Sequence, residues 1–266
     1  MNVISLTPLD LAMTAILILI LAGASLLLRL GVAGQLLIAA VRTTVQLLLI
    51  GMILTTVFKL AQLQWVALIT IVMLLIAGRE VVARQQYRLA GWWGFGVGTI
   101  SMFISTFTVT ILALLVIIGT DPWYRPQYAI PLLGMMLGNT MNGIALGLDR
   151  LTSAARDQRS IIEARLTLGQ SWREAIRDIR RQSMRTGMIP IINAMAAAGV
   201  VSLPGMMTGQ ILAGSPPVEA VKYQILIMFM ITAGTGFGTM AAVWLASRRL
   251  FDDRHRLRLE RLQNGR

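Results

Sequence analysis

Residues 149–185 read DRLTSAARDQRSIIEARLTLGQSWREAIRDIRRQSMR, the one long polar stretch in a chain otherwise built of apolar runs. Within it Ile162, Leu166, Gly169, Trp172, Ile176 and Ile179 recur at steps of three and four, the spacing of an amphipathic helix. Arg159, Arg173, Arg177, Arg180 and Arg181 occupy its other faces. A basic amphipathic helix lies on a membrane surface, binds nucleic acid, or docks in a groove on a partner. The segments on either side decide between these.

Those segments are membrane-like. The 266 residues are 56% hydrophobic and 14% charged, with a mean hydropathy of +0.69. A soluble domain carries about 25% charged residues. The composition therefore predicts an all-α, polytopic integral membrane protein with a single transmembrane domain over 1–247 and a basic tail over 248–266. Cysteine is absent, which excludes disulfides, thiolate metal sites and iron–sulfur clusters. The single histidine, His255, lies in the charged tail, so a multi-histidine metal or haem site is excluded as well. The net charge of +12 does not argue for nucleic acid, because its distribution has a simpler cause.

A spanning helix needs about 20 mostly apolar residues. Seven spans are expected, near 11–28, 35–58, 63–77, 93–118, 129–148, 188–213 and 221–247. With the C-terminus in the cytoplasm, the cytoplasmic connections hold Arg29, then Arg79, Arg84 and Arg88, then nine arginines from Arg150 to Arg185, and then the arginine-rich tail. The opposite side keeps Lys59, Arg125 and Lys222. That asymmetry is the positive-inside pattern, and it predicts an outside N-terminus and a cytoplasmic C-terminus. Segment 149–187 becomes a cytoplasmic loop. Its arginines face anionic lipid, but its acids (Asp157, Glu163, Glu174, Asp178) suit a protein partner better.

The chemistry is defined first by what the sequence lacks. No G-x-x-x-x-G-K-[ST] occurs, and neither Lys59 nor Lys222 follows a glycine-rich loop, so the P-loop route to ATP hydrolysis is closed. With His255 alone, no nucleophile–histidine–acid set can be assembled. The chain reads as a non-enzyme that binds no cofactor. Gly94-x-Gly96-x-Gly98 and Gly234-x-Gly236-x-Gly238 lie within spans and point to close helix packing.

Polar residues inside spans are candidates for a transport path. Arg42 and Gln46 share a face of the second span, although Arg42 is also placed to snorkel to the inner surface or to neutralise Glu80. Asn139 and Asn142 share a face of the fifth span, with an interhelical hydrogen bond as the competing role. Asn193 follows Pro190 in the sixth, and Pro204-Gly205 must break that helix, which membrane depth tolerates only against protein or a watery cavity. Met135, Met136, Met206 and Met207 serve as soft ligands or as filler. Gly134-x-x-x-Gly138 and Gly143-x-x-x-Gly147 allow close helix approach, either inside one subunit or along a homodimer seam.

Glu163-Ala164-Arg165-x-x-x-Gly169, with Ile179 downstream, has the spacing of the cytoplasmic loop of ABC importer permeases, although Arg181-Gln182 stands where that motif has Leu-Pro. Pro131-x-x-Gly134-Met135-x-x-Gly138-Asn139-x-Met141, Leu166-Thr167-Leu168-Gly169, Gly199-Val200-Val201-Ser202-Leu203-Pro204-Gly205-Met206-Met207-x-Gly209 and Val221-Lys222-Tyr223-Gln224-Ile225 together resemble the FetB family of ABC transporter permeases. That family includes a bacterial iron exporter and is related to plant aluminium-sensitivity proteins. The resemblance runs from Arg42-Thr43-Thr44-Val45-Gln46-Leu47 to the tail.

The resemblance implies a multi-pass permease of the bacterial inner membrane that exports a metal, iron first. It implies a separate FetA-like ATPase holding ATP and Mg, and a homodimer in a two-plus-two complex. In that setting Leu166, Leu168, Trp172 and Ile176 enter a groove on the ATPase, Glu163 sets register, and Gly169 lets the chain turn. The cargo passes either chelated or through ports formed by Glu80, Asp121, Asp149 and Glu219. The alternative is a gradient-driven carrier or channel for metal ions or small solutes that needs no ATPase.

Overall fold

The computed structural model describes residues 7–264. Residues 1–6 of the expected permease domain and 265–266 of the expected tail lie outside the described residues. Among the described residues, six helices are long and apolar enough to cross a membrane. They are α1 (Pro8–Leu27), α2 (Ala33–Leu60), α3 (Leu63–Ala83), the rod Trp92–Ile118, α6 (Pro126–Asp157) and α11 (Pro217–Arg249). The rod comprises α4 (Trp92–Met102), α5 (Thr108–Leu112) and two π-helical segments, Phe103–Phe107 and Ala113–Ile118.

The bundle is centred on α6, which packs against α3, α11 and α9 (Arg177–Ala197). Small residues bring these helices close. A Cβ on Gly143 would lie 2.8 Å from Thr239 Oγ1 and 3.0 Å from the Gly187 carbonyl oxygen, and one on Gly147 would touch Val243 and Thr239. The hairpin α1–α2 lies at the side of the bundle, and Leu17, Ile20, Leu47 and Leu48 face outward. An apolar surface of that extent belongs against lipid.

The expected sixth span, 188–213, is not one helix. Helix α9 ends at Ala197 and α10 runs over Gly205–Leu212. The break precedes the proline. Gly199 adopts φ +84°, its amide donates to Ser202 O at 2.9 Å, and Pro204 caps α10.

Segment 149–187 differs from one continuous amphipathic helix. The fifth spanning helix runs on to Asp157, then α7 (Arg159–Thr167) and α8 (Trp172–Ala175) form a helical hairpin that leads into α9. The turn between them is set by chemistry at its two ends. Gly169, at φ +85°, closes α7: its amide donates to Leu166 O and that of Gln170 to Arg165 O, a Schellman termination. Ser171 opens α8, where its amide and hydroxyl both donate to Glu174.

The basic tail folds back as well. Strand β2 (Leu262–Asn264) pairs antiparallel with β1 (Tyr87–Leu89) in the α3–α4 connection. The Arg156 guanidinium lies 4.4 Å from the Tyr87 ring centroid, and Thr152 donates to Tyr87 O at 2.7 Å. Phe251 sits beside Trp172, with ring centroids 5.8 Å apart. The α3–α4 connection, the 149–185 segment and the tail therefore form a single cap on one end of the bundle.

Candidate functional site

The cap carries the residues expected to receive a partner, and it divides them. Ile176 is fully buried, as are Ile162 and Ala175, within the core that joins α6, α9 and α11. Leu166 and Trp172 are partly buried against the same core. This corrects the expected docking face. An amphipathic stripe must cover its apolar side against something, and here the chain covers it itself, so Ile176 does not enter a partner's groove. Leu168 points outward instead, 82% exposed at the tip of the hairpin, beside the exposed Gly169 and Gln170. Glu163 pairs with Arg159 at 2.8 Å on the outer face of α7.

The hairpin is pinned from within. Arg165 reaches across it, donating to Ala175 O at 3.3 Å and to Asp178 Oδ2 at 3.0 Å. Donation from the Ser171 amide, and then from its hydroxyl, holds the Glu174 carboxyl below the ordinary value. In the tail, desolvation pushes the Asp252 carboxyl up. Donation from the Arg256 amide and from the Arg258 and Arg256 guanidinium groups outweighs it and holds the carboxyl well below the usual carboxylate range. No periodic signal in the sequence marks this clasp, because it is made of side-chain hydrogen bonds and three-residue strands.

The expected path residues fall in two places. Arg42 and Gln46 line a cleft of about 410 Å³ between α2, α3 and α6, together with Glu80, Arg84, Gly134 and Gly138. Arg42 Nη2 meets Glu80 Oε1 at 2.5 Å, and Arg84 donates to Asn142. Glu80, expected as a partner for Arg42 and as a port, does pair with Arg42, whereas Arg84 was not expected here. Their signal was their place in the last turn of the third span, where Glu80, Arg84 and Arg42 converge on one cleft.

The rest lie apart. Asn139 turns back on its own helix, donating to Met135 O at 2.8 Å. Met135 and Met206 line a smaller cavity of about 150 Å³ with Gln127, Gln210 and Tyr223. Met207 is buried, and Asn193 is exposed. Pro204 and Gly205 begin α10 and touch neither cavity.

The glycine pairs are also divided. Gly134 and Gly138 border the cleft, whereas Gly143 and Gly147 pack against α9 and α11. The pairs are nine residues apart, and at about 100° per residue they face opposite ways. They do not form one seam, and Gly143-x-x-x-Gly147 is used inside the chain. Among the described residues no group of three or more His, Cys, Asp or Glu side chains converges as a metal site.

A model of the uncharacterised protein family UPF0014 matches residues 8–251. A UPF0014 membrane protein of Synechocystis is 42% identical over 228 residues, covering 86% of this chain and 87% of that one. Escherichia coli FetB, described as a "probable iron export permease protein", is 30% identical over 228 residues, 84% of this chain and 83% of that one. Protein ALUMINUM SENSITIVE 3 of Arabidopsis thaliana is 27% identical over 216 residues, 81% and 77% of the two chains. No solved structure matches. With its apolar helices and membrane-protein relatives, the chain is a multi-pass protein of the bacterial inner membrane, and it belongs to the UPF0014 family.

Proposed function

We propose that the chain is the permease subunit of an ABC transporter that exports a metal ion, iron foremost, and that a separate FetA-like ATPase drives it. The observation that carries this reading is the exposed hairpin tip at Leu168–Gly169–Gln170. It stands out from a cap that is otherwise self-packed and tied to the long helices α6 and α9. A push on that tip acts on two rods of the bundle at once. The likeness to FetB supplies the cargo class, and the missing P-loop motif explains why ATP and Mg would sit on the partner. This chain would bind neither and would catalyse nothing itself.

In this reading Leu168 is the apolar knob that enters the ATPase, and Glu163 and Gly169 border it. Leu166, Trp172 and Ile176 hold the knob's base. The cap is the cytoplasmic end, with the N-terminus outside and two copies of the chain meeting two of the ATPase.

The test is metal efflux from cells or inverted vesicles carrying the pair. Leu168→Asp should reduce efflux at least tenfold while leaving the protein inserted and folded, because a charge replaces the knob on a surface the fold does not use. Efflux that persists without any ATPase would sink the reading in favour of a gradient-driven carrier.

A further inference from the structure

The cleft between α2, α3 and α6 has a charge balance that runs against a bare cation. Its charged lining consists of Arg42, Arg84 and Glu80, two cations against one carboxylate. Thr43 and Gln46 add neutral hydrogen-bonding groups. Each guanidinium has five N–H donors, and few of them are engaged. Arg42 uses Nη2 on Glu80; Arg84 uses Nη1 on Asn142 and stands 3.9 Å from Glu80. The arginine side chains keep 50% and 47% of their surface open, whereas Glu80 keeps 24%. The positive groups are thus the open ones, and the carboxylate sits behind them.

Size points the same way. About 410 Å³ is in the range of pockets for small organic ligands, roughly 300–1,000 Å³. A naked metal ion instead needs a tight set of oxygen, nitrogen or sulfur donors. The cleft offers one carboxylate, already paired with Arg42, beside neutral Thr43 and Gln46 and the thioethers of Met73 and Met141, with two guanidinium groups that repel a cation. Charged side chains within spanning helices are costly and mark substrate paths. Glu80 and Arg84 lie at the cap end of α3, where an exporter would load.

We propose that this cleft recognises oxyanion groups, carboxylate or phosphate, and that the metal is loaded as an anionic, oxygen-rich chelate. Arg42 and Arg84 grip the oxyanion face, and Glu80 holds the two guanidinium groups in register until the cargo displaces it. The inference rests on the metal-export reading and specifies the cargo of that same transporter.

The full-length chain in nanodiscs tests it by equilibrium binding of ferric citrate, ferric pyrophosphate, each chelator alone, and Fe²⁺ alone. Both ferric chelates should bind more tightly than Fe²⁺. Binding of a chelator alone shows that the oxyanion suffices; binding of the chelate only shows that the metal complex is required. Either outcome supports the proposal. Fe²⁺ binding as tight as the chelates, or no chelate binding, overturns it. Arg42→Gln should weaken chelate binding about tenfold and Arg42→Lys much less, the loss expected for one charge-assisted contact.

Glu80→Gln separates recognition from a structural ion pair, and it remains informative if Arg42→Gln fails to fold. Freed of their carboxylate, the arginines should bind the chelate severalfold more tightly; unchanged or weaker binding overturns the proposal. In vesicles, wild-type efflux by Arg42→Gln that still requires the ATPase removes the chelate inference alone. Efflux independent of any ATPase removes the export reading and leaves the binding result to stand.

Discussion

A Cβ on Gly187 would run into the carbonyl oxygen of Gly143 and the methyl group of Thr239. Neither obstacle is the free end of a flexible side chain, so relief requires α6 and α9 to separate. Gly187→Val should therefore destabilise the protein by about 3 kcal/mol or more, the upper range for overpacking, read as a lower melting temperature in detergent. Gly138 is the contrast, since nothing lies within 4 Å of its virtual Cβ. Gly138→Ala should raise stability slightly, by about 0.5–1 kcal/mol, the helical preference of alanine over glycine. The sequence marked Gly138 and Gly143 alike for close helix approach, but of these two only Gly143 meets a neighbouring helix. Which neighbour approaches was not legible, because a small-residue pair, Ser183-x-x-x-Gly187 included, carries no mark of its partner.

The hairpin of α7 and α8 shows why an element can be read correctly in its face and wrongly in its continuity. Ile162, Leu166, Trp172 and Ile176 do share an apolar side, and they meet on one core. The rod through them is broken at Gly169, yet the period survives because the turn returns the chain to the same side. The tail gave less warning, being rich in arginine and without apolar period. Its order rests on Asp252, which accepts from the amides of Arg254 and Arg256 and from the guanidinium groups of Arg256 and Arg258. Asp252→Ala should release the tail, and trypsin should then cleave at Arg254, Arg256 and Arg258 severalfold faster than in the parent. The same carboxyl sets the direction of pH dependence. The folded Asp252 and Glu174 titrate below their ordinary values, so the stability they lend is present above those values and is lost as pH falls through the lower, folded ones. Hydrogen exchange of 250–264 should thus show no loss of protection from these two groups between about pH 8 and 5, with protection falling only in stronger acid.

At the scale of the whole molecule, the paired strands β1 and β2 put the tail on the same side as the α3–α4 connection. The rod Trp92–Ile118 leaves that side and α6 returns to it, because the 149–185 segment packs into the same cap as the tail. Helix α11 ends in the cap, so if it crosses the membrane it starts from the far side. The chain between Arg177 and Leu212 must then cross, although no single helix there is long and apolar enough. On that condition the crossings would number seven, six long helices and one broken one, and the break at 198–204 would lie within the membrane against protein or water. Hydropathy alone smooths over the interruption, since Gly199 and Pro204 barely lower the mean of an apolar window. Pro204-Gly205 marked it in the sequence, and the structure sets it slightly earlier, at Gly199. The natural absence of cysteine makes the arrangement directly measurable by single-cysteine labelling in intact cells. A membrane-impermeant maleimide should label Gln62→Cys and Ser215→Cys from outside, and should reach Leu168→Cys and Gln263→Cys only after permeabilisation. Protection of Ser215→Cys until permeabilisation would mean that α9 and α10 turn back without crossing, and that α11 starts on the same side as the cap.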